Sequence, residues 1–127
     1  MATIDYFERK LDDKNRLTMP ADLRSEFDGG EVILTRGFGK YLHMYTAKVW
    51  NEQVEPALKG NILDEATADK NVQFRMGRSS SKLDAKQGRV TIEQHLLDYA
   101  GINQDVVAVR AGDYWRITSK AEADNFS

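Results

Sequence analysis

The 127-residue chain contains no cysteine and only two histidines, and these shortages restrict its chemistry. Without cysteine there is no disulfide bond, no thiolate nucleophile and no cysteine-ligated zinc. His43 and His95 lie in different halves of the chain, and neither has an acidic companion at a ligand spacing, so a metal site and histidine-based catalysis are not expected. No other combination of acid, base and nucleophile can be nominated. We therefore expect a protein that is not an enzyme and that needs no cofactor.

Long hydrophobic runs and an excess of positive charge are also missing. No uninterrupted apolar stretch is long enough to span a bilayer, and the first residues, Met1-Ala2-Thr3-Ile4-Asp5, do not resemble a targeting segment. We therefore expect a soluble, cytoplasmic chain without a membrane partner. The net charge of −2 and the pI near 5.7, taken alone, disfavour a nucleic-acid-binding protein, because phosphate recognition normally requires basic residues.

The charges are unevenly distributed along the chain. Residues 75–89 include five basic residues and one acidic residue, whereas residues 51–70 include five acidic residues and two basic ones. A protein with this distribution can be acidic overall and still present a basic face.

A polar segment near the start of the chain returns in altered form about half a chain later. Both copies begin with a segment in which apolar residues alternate with polar ones. An acidic residue, a short polar turn with a lysine, and an arginine follow, and the copy ends with a hydrophobic-Thr-hydrophobic strand. This pattern predicts a β-hairpin with the arginine where the tip meets the exit strand. The elements that follow each copy also keep the same order, so we interpret the two as an internal duplication. The copies are Lys10-Leu11-Asp12-Asp13-Lys14-Asn15-Arg16-Leu17-Thr18-Met19-Pro20 and Lys82-Leu83-Asp84-Ala85-Lys86-Gln87-Gly88-Arg89-Val90-Thr91-Ile92.

Each copy is followed by a predicted short helix and two predicted strands. The helices span residues 21–27 and 94–99, and Gly29-Gly30 and Gly101 are their expected stops. The strands span residues 31–36 and 41–45 in the first half, and residues 106–111 and 114–117 in the second.

The middle of the chain is predicted to be helical. Thr46 is a suitable N-cap for an amphipathic helix, Pro56 near its end predicts a kink or a stop, and a second helix spans residues 63–76. Their apolar stripe must be buried, so we expect these helices to pack on the sheets. Residues 77–81, which include three consecutive serines, predict a flexible connection to the second copy.

The first copy resembles the Leu-Asp-x-Lys-Gly-Arg-hydrophobic-x-hydrophobic-Pro signature of the MraZ family, which regulates a bacterial cell-division operon. The second copy is similar to that family's second arginine loop, and later residues match its short helix and closing strands. The resemblance covers roughly residues 5–126. The matching segments of the second half are Lys86-Gln87-Gly88-Arg89-Val90, Asp98-Tyr99-Ala100-Gly101-Ile102, Val106-Val107 and Ile117.

The resemblance implies an α+β fold, mainly β with flanking helices. Two tandem AbrB-like halves would form swapped-hairpin β-barrels related by a pseudo-twofold axis. Residues 5–47 would be the first half, residues 48–76 a helical linker that packs on both halves, and residues 77–127 the second half. Each half is small for a stable core, so association of the halves or of several chains is expected. The resemblance implies a homo-oligomer in the form of a ring.

Arg16 and Arg89 are the candidate base-contacting residues. A lone arginine in a loop is more often simply exposed, but two at equivalent positions of a duplicated hairpin favour a shared role. An arginine held on a rigid hairpin can donate to both O6 and N7 of guanine in the major groove, which a lysine cannot reproduce. Nearby lysines suit phosphate contacts, which position a protein without specifying sequence. These lysines are Lys10, Lys14, Lys82 and Lys86.

Asp12 and Asp84 are candidate arginine-orienting residues. A carboxylate beside an arginine restricts its rotamers and reduces the entropy that is lost on docking. The MraZ family carries an Asp-x-x-x-Arg pattern in both halves, and Asp12 with Arg16 matches it. Asp84 lies five positions before Arg89, one more than the pattern requires. Either the loop bulges by one residue around Gly88, or Asp84 has lost this role.

Two functions are compatible with these features. One is a sequence-specific regulator of transcription that binds double-stranded DNA. The other is a protein-interaction module of the antitoxin-like type, because an acidic net charge and helices with aromatic residues also suit a module that binds another protein. The resemblance favours the first. It implies repression of the protein's own cell-division or cell-wall operon through G-rich direct repeats upstream of that operon, with the protein associated with the nucleoid. No small-molecule substrate is expected.

Overall fold

The computed structural model describes residues 4–27, 30–84 and 86–125. These residues form an α+β fold that is mostly antiparallel sheet with several helices, as expected. The predicted helix stop at Gly29 and the end of the resemblance at residue 126 lie outside the described residues. The strands are β1 (Tyr6–Lys10), β2 (Arg16–Thr18), β3 (Glu31–Arg36), β4 (Leu42–Thr46), β5 (Ser79–Lys82), β6 (Arg89–Thr91), β7 (Asp105–Ala111) and β8 (Tyr114–Ser119).

The helices lie between these strands and at the end of the chain. They are α1 (Ala47–Val49), α2 (Glu55–Leu58), α3 (Glu65–Arg75), α4 (Gln94–Ala100) and α5 (Lys120–Asp124), with a 3₁₀ helix over Ala21–Phe27 and a π-helix over Trp50–Val54. Every helix within the described ranges is too short or too polar to cross a bilayer.

Six strands form one antiparallel sheet in the order β1-β7-β8-β4-β3-β5, and β2 pairs with β6 in a separate two-stranded ribbon. The strand order is symmetric between the two halves. If β1, β2, β3 and β4 are exchanged with β5, β6, β7 and β8, respectively, the strand orders of the sheet and of the ribbon stay the same. The expected closed barrels are not formed by the described residues. Instead β4 of the first half pairs with β8 of the second, and this pairing joins the strands of both halves into one open sheet.

The two predicted hairpins close only at their tips. In the first, the amide of Asp12 donates to the carbonyl of Arg16 at 3.2 Å, and in the second the amide of Asp84 donates to the carbonyl of Arg89 at 2.9 Å. Beyond the tips the arms separate. Both β1 and β2 pair with strands of the second half, and both β5 and β6 pair with strands of the first. Alternating polarity identifies the arms β2 and β6, but the pairing partner of each arm depends on the rest of the chain.

The buried residues form two clusters on opposite sides of the sheet. The main cluster includes Leu17 and Val90, which lie beneath the ribbon and are 0% and 1% exposed. The second cluster combines residues of β3 and β4 with residues of the linker helices, and it attaches these helices to the sheet. Its buried members are Ile33, Tyr45, Trp50, Leu58 and Phe74.

Residues 21–27 form the predicted short helix, which is of the 3₁₀ kind. Two other local predictions differ from the structure. The helical segment that begins at the Thr46 cap continues past Pro56 to Leu58, because a π-helical turn shifts the hydrogen-bond register and places the proline in the first turn of α2, where its missing N–H has no cost. The serine-rich connection is not an irregular link, since residues from Ser79 onward pair with β3 as strand β5.

Candidate nucleic-acid interface

The β2–β6 ribbon presents four side chains on one outward face. Arg16 pairs with Thr91, and Thr18 pairs with Arg89, while the pair between them enters the core. Side chains alternate across a strand, so both arginines and both threonines point away from the core. The two arginines are diagonal neighbours on this face, a placement in which residues of paired strands are about 7–8 Å apart.

Hydrogen bonds between the halves extend the ribbon at both ends. The amide of Met19 donates to the carbonyl of Gly88 at 2.8 Å, and the amide of Ile92 donates to the carbonyl of Asn15 at 2.9 Å. Bonded and non-bonded pairs alternate along an antiparallel ladder. The two arginine–threonine pairs are therefore of the non-bonded kind, in which opposite side chains lie closest together.

An aspartate of the same loop holds each arginine. Nε of Arg16 donates to Oδ2 of Asp12 at 2.6 Å, and Nη2 of Arg89 donates to Oδ2 of Asp84 at 2.8 Å. The two arginine side chains are 27% and 26% exposed. Each guanidinium is thus held beside its own loop, while part of each arginine side chain stays accessible.

The same aspartates also hold the backbone of their loops. Oδ1 of Asp12 accepts the amide of Lys14 at 2.9 Å, and Oδ1 of Asp84 accepts the amide of Lys86 at 2.9 Å. Desolvation alone would raise the pKa of Asp12, but the backbone and guanidinium of Arg16 and the amide of Lys14 together lower that pKa below its ordinary value. The pKa of Asp84 is lowered mainly by the guanidinium of its arginine and next by the Lys86 amide.

The second loop is one residue longer than the first, and its turn accommodates the extra residue. The amide of Asn15 donates to the carbonyl of Asp12 at 3.1 Å, three positions back. The amide of Gly88 donates to the carbonyl of Asp84 at 2.7 Å, four positions back. Of the two alternatives left open by the spacing, the loop therefore bulges near Gly88, and Asp84 keeps its contact with Arg89.

The four predicted lysines are all exposed, but their positions differ. Lys14 and Lys86 lie in the turns directly before the ribbon strands. Lys10 and Lys82 lie at the ends of β1 and β5, at the base of each loop, and Nζ of Lys10 is 3.8 Å from Oδ1 of Asp105. The two turn lysines are therefore the ones nearest to the arginines along the chain.

Sequence reasoning missed a bridge between the halves. Arg24 of the 3₁₀ helix donates through Nη2 to the carbonyl of Gln87 in the second loop at 2.9 Å, and through Nε to the carbonyl of Met19 at 3.3 Å. In the first loop, Nδ2 of Asn15 donates to Oε1 of Gln94 at 3.1 Å. These partners are 63 and 79 positions apart, so no local pattern marks them.

The histidines are not placed as metal ligands. His43 is buried, and its Nδ1 lies 2.8 Å from the hydroxyl of Tyr45. Burial and, secondarily, the positive charge of Arg116 lower the pKa of His43 to about 4, so its ring is neutral near pH 7. His95 is half exposed beside Glu93. In the part of the chain that the structure describes, no three His, Cys, Asp or Glu side chains are grouped to hold a metal ion.

The fold and the site define an α+β protein of internally duplicated strand order that presents two aspartate-held arginines on one β-ribbon. A family model described as "MraZ protein, putative antitoxin-like" matches residues 5–72. The chain belongs to the MraZ family, as the resemblance of its two loops indicated.

Relatives with the name "Transcriptional regulator MraZ" match over most of the chain, and three of them serve as examples. The one from Clostridium acetobutylicum is 35% identical over 118 residues, which are 92% of this chain and 81% of the relative. The one from Mycoplasmopsis pulmonis is 32% identical over 126 residues, 99% of this chain and 84% of the relative. The one from Clavibacter michiganensis is 31% identical over 117 residues, which are 92% of this chain and 80% of the relative. The name is that of a regulator and not of an enzyme.

Proposed function

We propose that this chain is a sequence-specific regulator of transcription that binds double-stranded DNA through the β2–β6 ribbon. The observation that carries the proposal is the placement of Arg16 and Arg89 on one outward face, each held by an aspartate. A two-stranded ribbon fits into the major groove, where an arginine can donate to both O6 and N7 of guanine. The name shared by the relatives supports a role in transcription.

The lysines and aspartates have separate proposed roles at this interface. Lys14 and Lys86, with Lys10 and Lys82 behind them, contact phosphates and set the position of the ribbon. The aspartates orient the arginines, since a guanidinium already held in place loses less entropy when it docks. The overall acidity does not oppose DNA binding, because the acidic excess is concentrated in residues 51–70.

The two halves are proposed to be tandem swapped-hairpin units about a pseudo-twofold axis. Residues 5–47 and 77–127 form the units, and residues 48–76 form the linker. This division is supported by the pairing of both arms of each copy with strands of the other half. It is also supported by the strand order, which is unchanged when the halves are exchanged.

Assembly of several copies into a ring is a further part of the proposal. Four apolar residues of the linker are exposed, and two neighbours among them, Ile62 and Leu63, are 91% and 89% exposed. An apolar surface of this kind supports contact with another copy. The other two residues are Val72 and Met76.

A ring would present several ribbons at regular spacing, which suits direct repeats in DNA. Because arginine contacts guanine best, the repeats would be rich in guanine. We propose that they lie upstream of the protein's own cell-division or cell-wall operon, and that binding represses it. The protein would then act at the nucleoid in the cytoplasm.

A gel shift with excess non-specific DNA, repeated at several salt concentrations, tests the proposal. Wild-type protein should select a preferred duplex from a random library and keep that preference when salt is raised, although its affinity falls. Lys14→Ala should weaken binding to all duplexes alike and reduce the salt dependence, whereas Arg89→Ala should reduce the preference. Equal binding to every duplex would overturn the proposal.

The second candidate function is a protein-interaction module of the antitoxin-like type. The exposed apolar residues of the linker favour it, as does the description of the family model. Such a module would bind its partner equally well after Arg16→Ala and Arg89→Ala and would lose the partner after Leu63→Ser. A DNA-binding regulator would instead lose its preference for the selected duplex after either arginine substitution.

A further inference from the structure

Two threonines share the outward face of the ribbon with the arginines. Thr18 and Thr91 are both exposed, while the residues that precede them in β2 and β6 are buried. Their exposure means that they contribute little to the core. A threonine favours a strand wherever it stands, so its presence alone does not indicate a function.

The register places each threonine directly opposite an arginine. Thr18 faces Arg89 and Thr91 faces Arg16 in non-bonded pairs, whose Cα atoms lie about 4.5 Å apart. Along one strand, an arginine and a threonine two positions apart are separated by about 6.8 Å. This distance equals roughly two base-pair steps of about 3.4 Å. With the strands aligned along the groove, the four side chains would cover two to three successive base pairs of a docked duplex.

The aspartates limit how far the arginines can reach from their loops. Nε of Arg16 is bound to Asp12 at 2.6 Å and Nη2 of Arg89 is bound to Asp84 at 2.8 Å, so each guanidinium is held beside its own loop. A guanine that pairs with an arginine held in this way has to approach the ribbon. At a close approach, the shorter threonine side chains can reach the base edges as well.

We propose that Thr18 and Thr91 are specificity-determining residues that contact the C5-methyl groups of thymines lying within two base pairs of the guanines bound by Arg16 and Arg89. Thymine is the base that carries a methyl group in the major groove, and the threonine methyl group is an apolar partner for it. The inference rests on the proposed DNA-binding function. It adds that the preferred DNA contains both guanine and thymine at defined spacing.

Single replacement of thymine by deoxyuracil tests this inference, since it removes the methyl group and keeps the base pair. The probe is the duplex that wild-type protein selects from a random library, and Arg16→Ala and Arg89→Ala locate the guanines in it. At a thymine within two base pairs of these guanines, deoxyuracil should weaken wild-type binding about fourfold, the factor expected for one buried methyl group.

The threonine variants identify the protein partner of each methyl group. Thr18→Ala or Thr91→Ala should weaken binding to the thymine duplex by a similar factor and should no longer distinguish thymine from deoxyuracil at one position. The corresponding valine variants keep the methyl group and should keep the distinction. Thr67→Ala, on helix α3 of the linker, is the control and should behave as wild type.

The outcomes separate this inference from the function on which it rests. If wild-type protein selects no sequence, the proposed function and the threonine contacts both fail. If the arginine variants lose selectivity but deoxyuracil has no effect at any position, only the threonine contacts are overturned. They are also overturned if both alanine variants distinguish thymine from deoxyuracil as well as wild type does.

Discussion

Asn15 and Gly88 occupy equivalent points of the two arginine loops and share a left-handed backbone, with φ of 58° and 65°. The carbonyl of each accepts an amide from the other half of the chain, from Ile92 at 2.9 Å and from Met19 at 2.8 Å. Asparagine tolerates this conformation and glycine adopts it freely. Each arginine loop is therefore held by the opposite half as well as by its own turn.

Gly88→Ala should destabilise the protein more than Gly112→Ala does. Both glycines have positive φ, but a Cβ at position 112 would meet open space, whereas a Cβ at position 88 would collide with the guanidinium of Arg24. Backbone strain costs about 1–2 kcal/mol in both variants. Displacing the hydrogen bond of Arg24 should cost about 1 kcal/mol more in the first. Urea unfolding measures both values, and equal losses would show that the Arg24 bridge contributes nothing.

Arg16→Lys separates base contact from simple charge attraction. Direct contact with guanine requires the two-pronged guanidinium, so the lysine variant should lose about 1–3 kcal/mol of binding to the selected duplex, close to the loss for Arg16→Ala. A purely electrostatic role predicts near-normal binding by the lysine variant. Fluorescence anisotropy with the selected duplex and with a scrambled duplex distinguishes the two.

Asp12→Asn should increase non-specific binding and decrease sequence preference. The matched control is Asp13→Asn, because Asp13 is exposed in the same loop and its replacement changes the net charge equally. Both variants should bind scrambled DNA more tightly, since one repulsive charge is removed. Only Asp12→Asn should lose preference for the selected duplex, by about 0.5–1.5 kcal/mol, which is the entropy of an arginine that is no longer held. Similar preferences in the two variants would argue against an orienting role for Asp12.

The stability of the protein should fall between pH 6.5 and pH 4 because of His43. Its pKa is about 4 in the folded protein against an ordinary value of 6.5, so in this window the unfolded chain binds a proton that the folded chain does not. Stability is therefore highest above pH 6.5, and the loss toward pH 4 is on the order of 3 kcal/mol. Urea unfolding at several pH values should show a flatter profile for His43→Gln than for wild type. His95→Gln, at a half-exposed position, should keep the wild-type slope.

Local structure was predictable wherever a few neighbouring residues decide it. The Thr46 side chain accepts the amide of Val49 at 3.1 Å as an N-cap, and Gly101 ends α4 in the left-handed conformation, both as expected. The serine-rich strand β5 was not predictable, because its backbone is extended by pairing with β3 and its side chains carry no strand signal. The bridge from Arg24 to Gln87 was hidden because the two residues are 63 positions apart in the chain.

The sequence by itself determined the duplication, the turns of the two loops and the alternation that turns Arg16 and Arg89 away from the core. Turn chemistry and side-chain alternation act over a few residues, so they are visible without a fold. Only the tertiary structure decided that these two arginines share one face. That outcome requires β2 to pair with β6, which buries Leu17 and Val90 together in the common core, and burial of this kind depends on every strand that surrounds it.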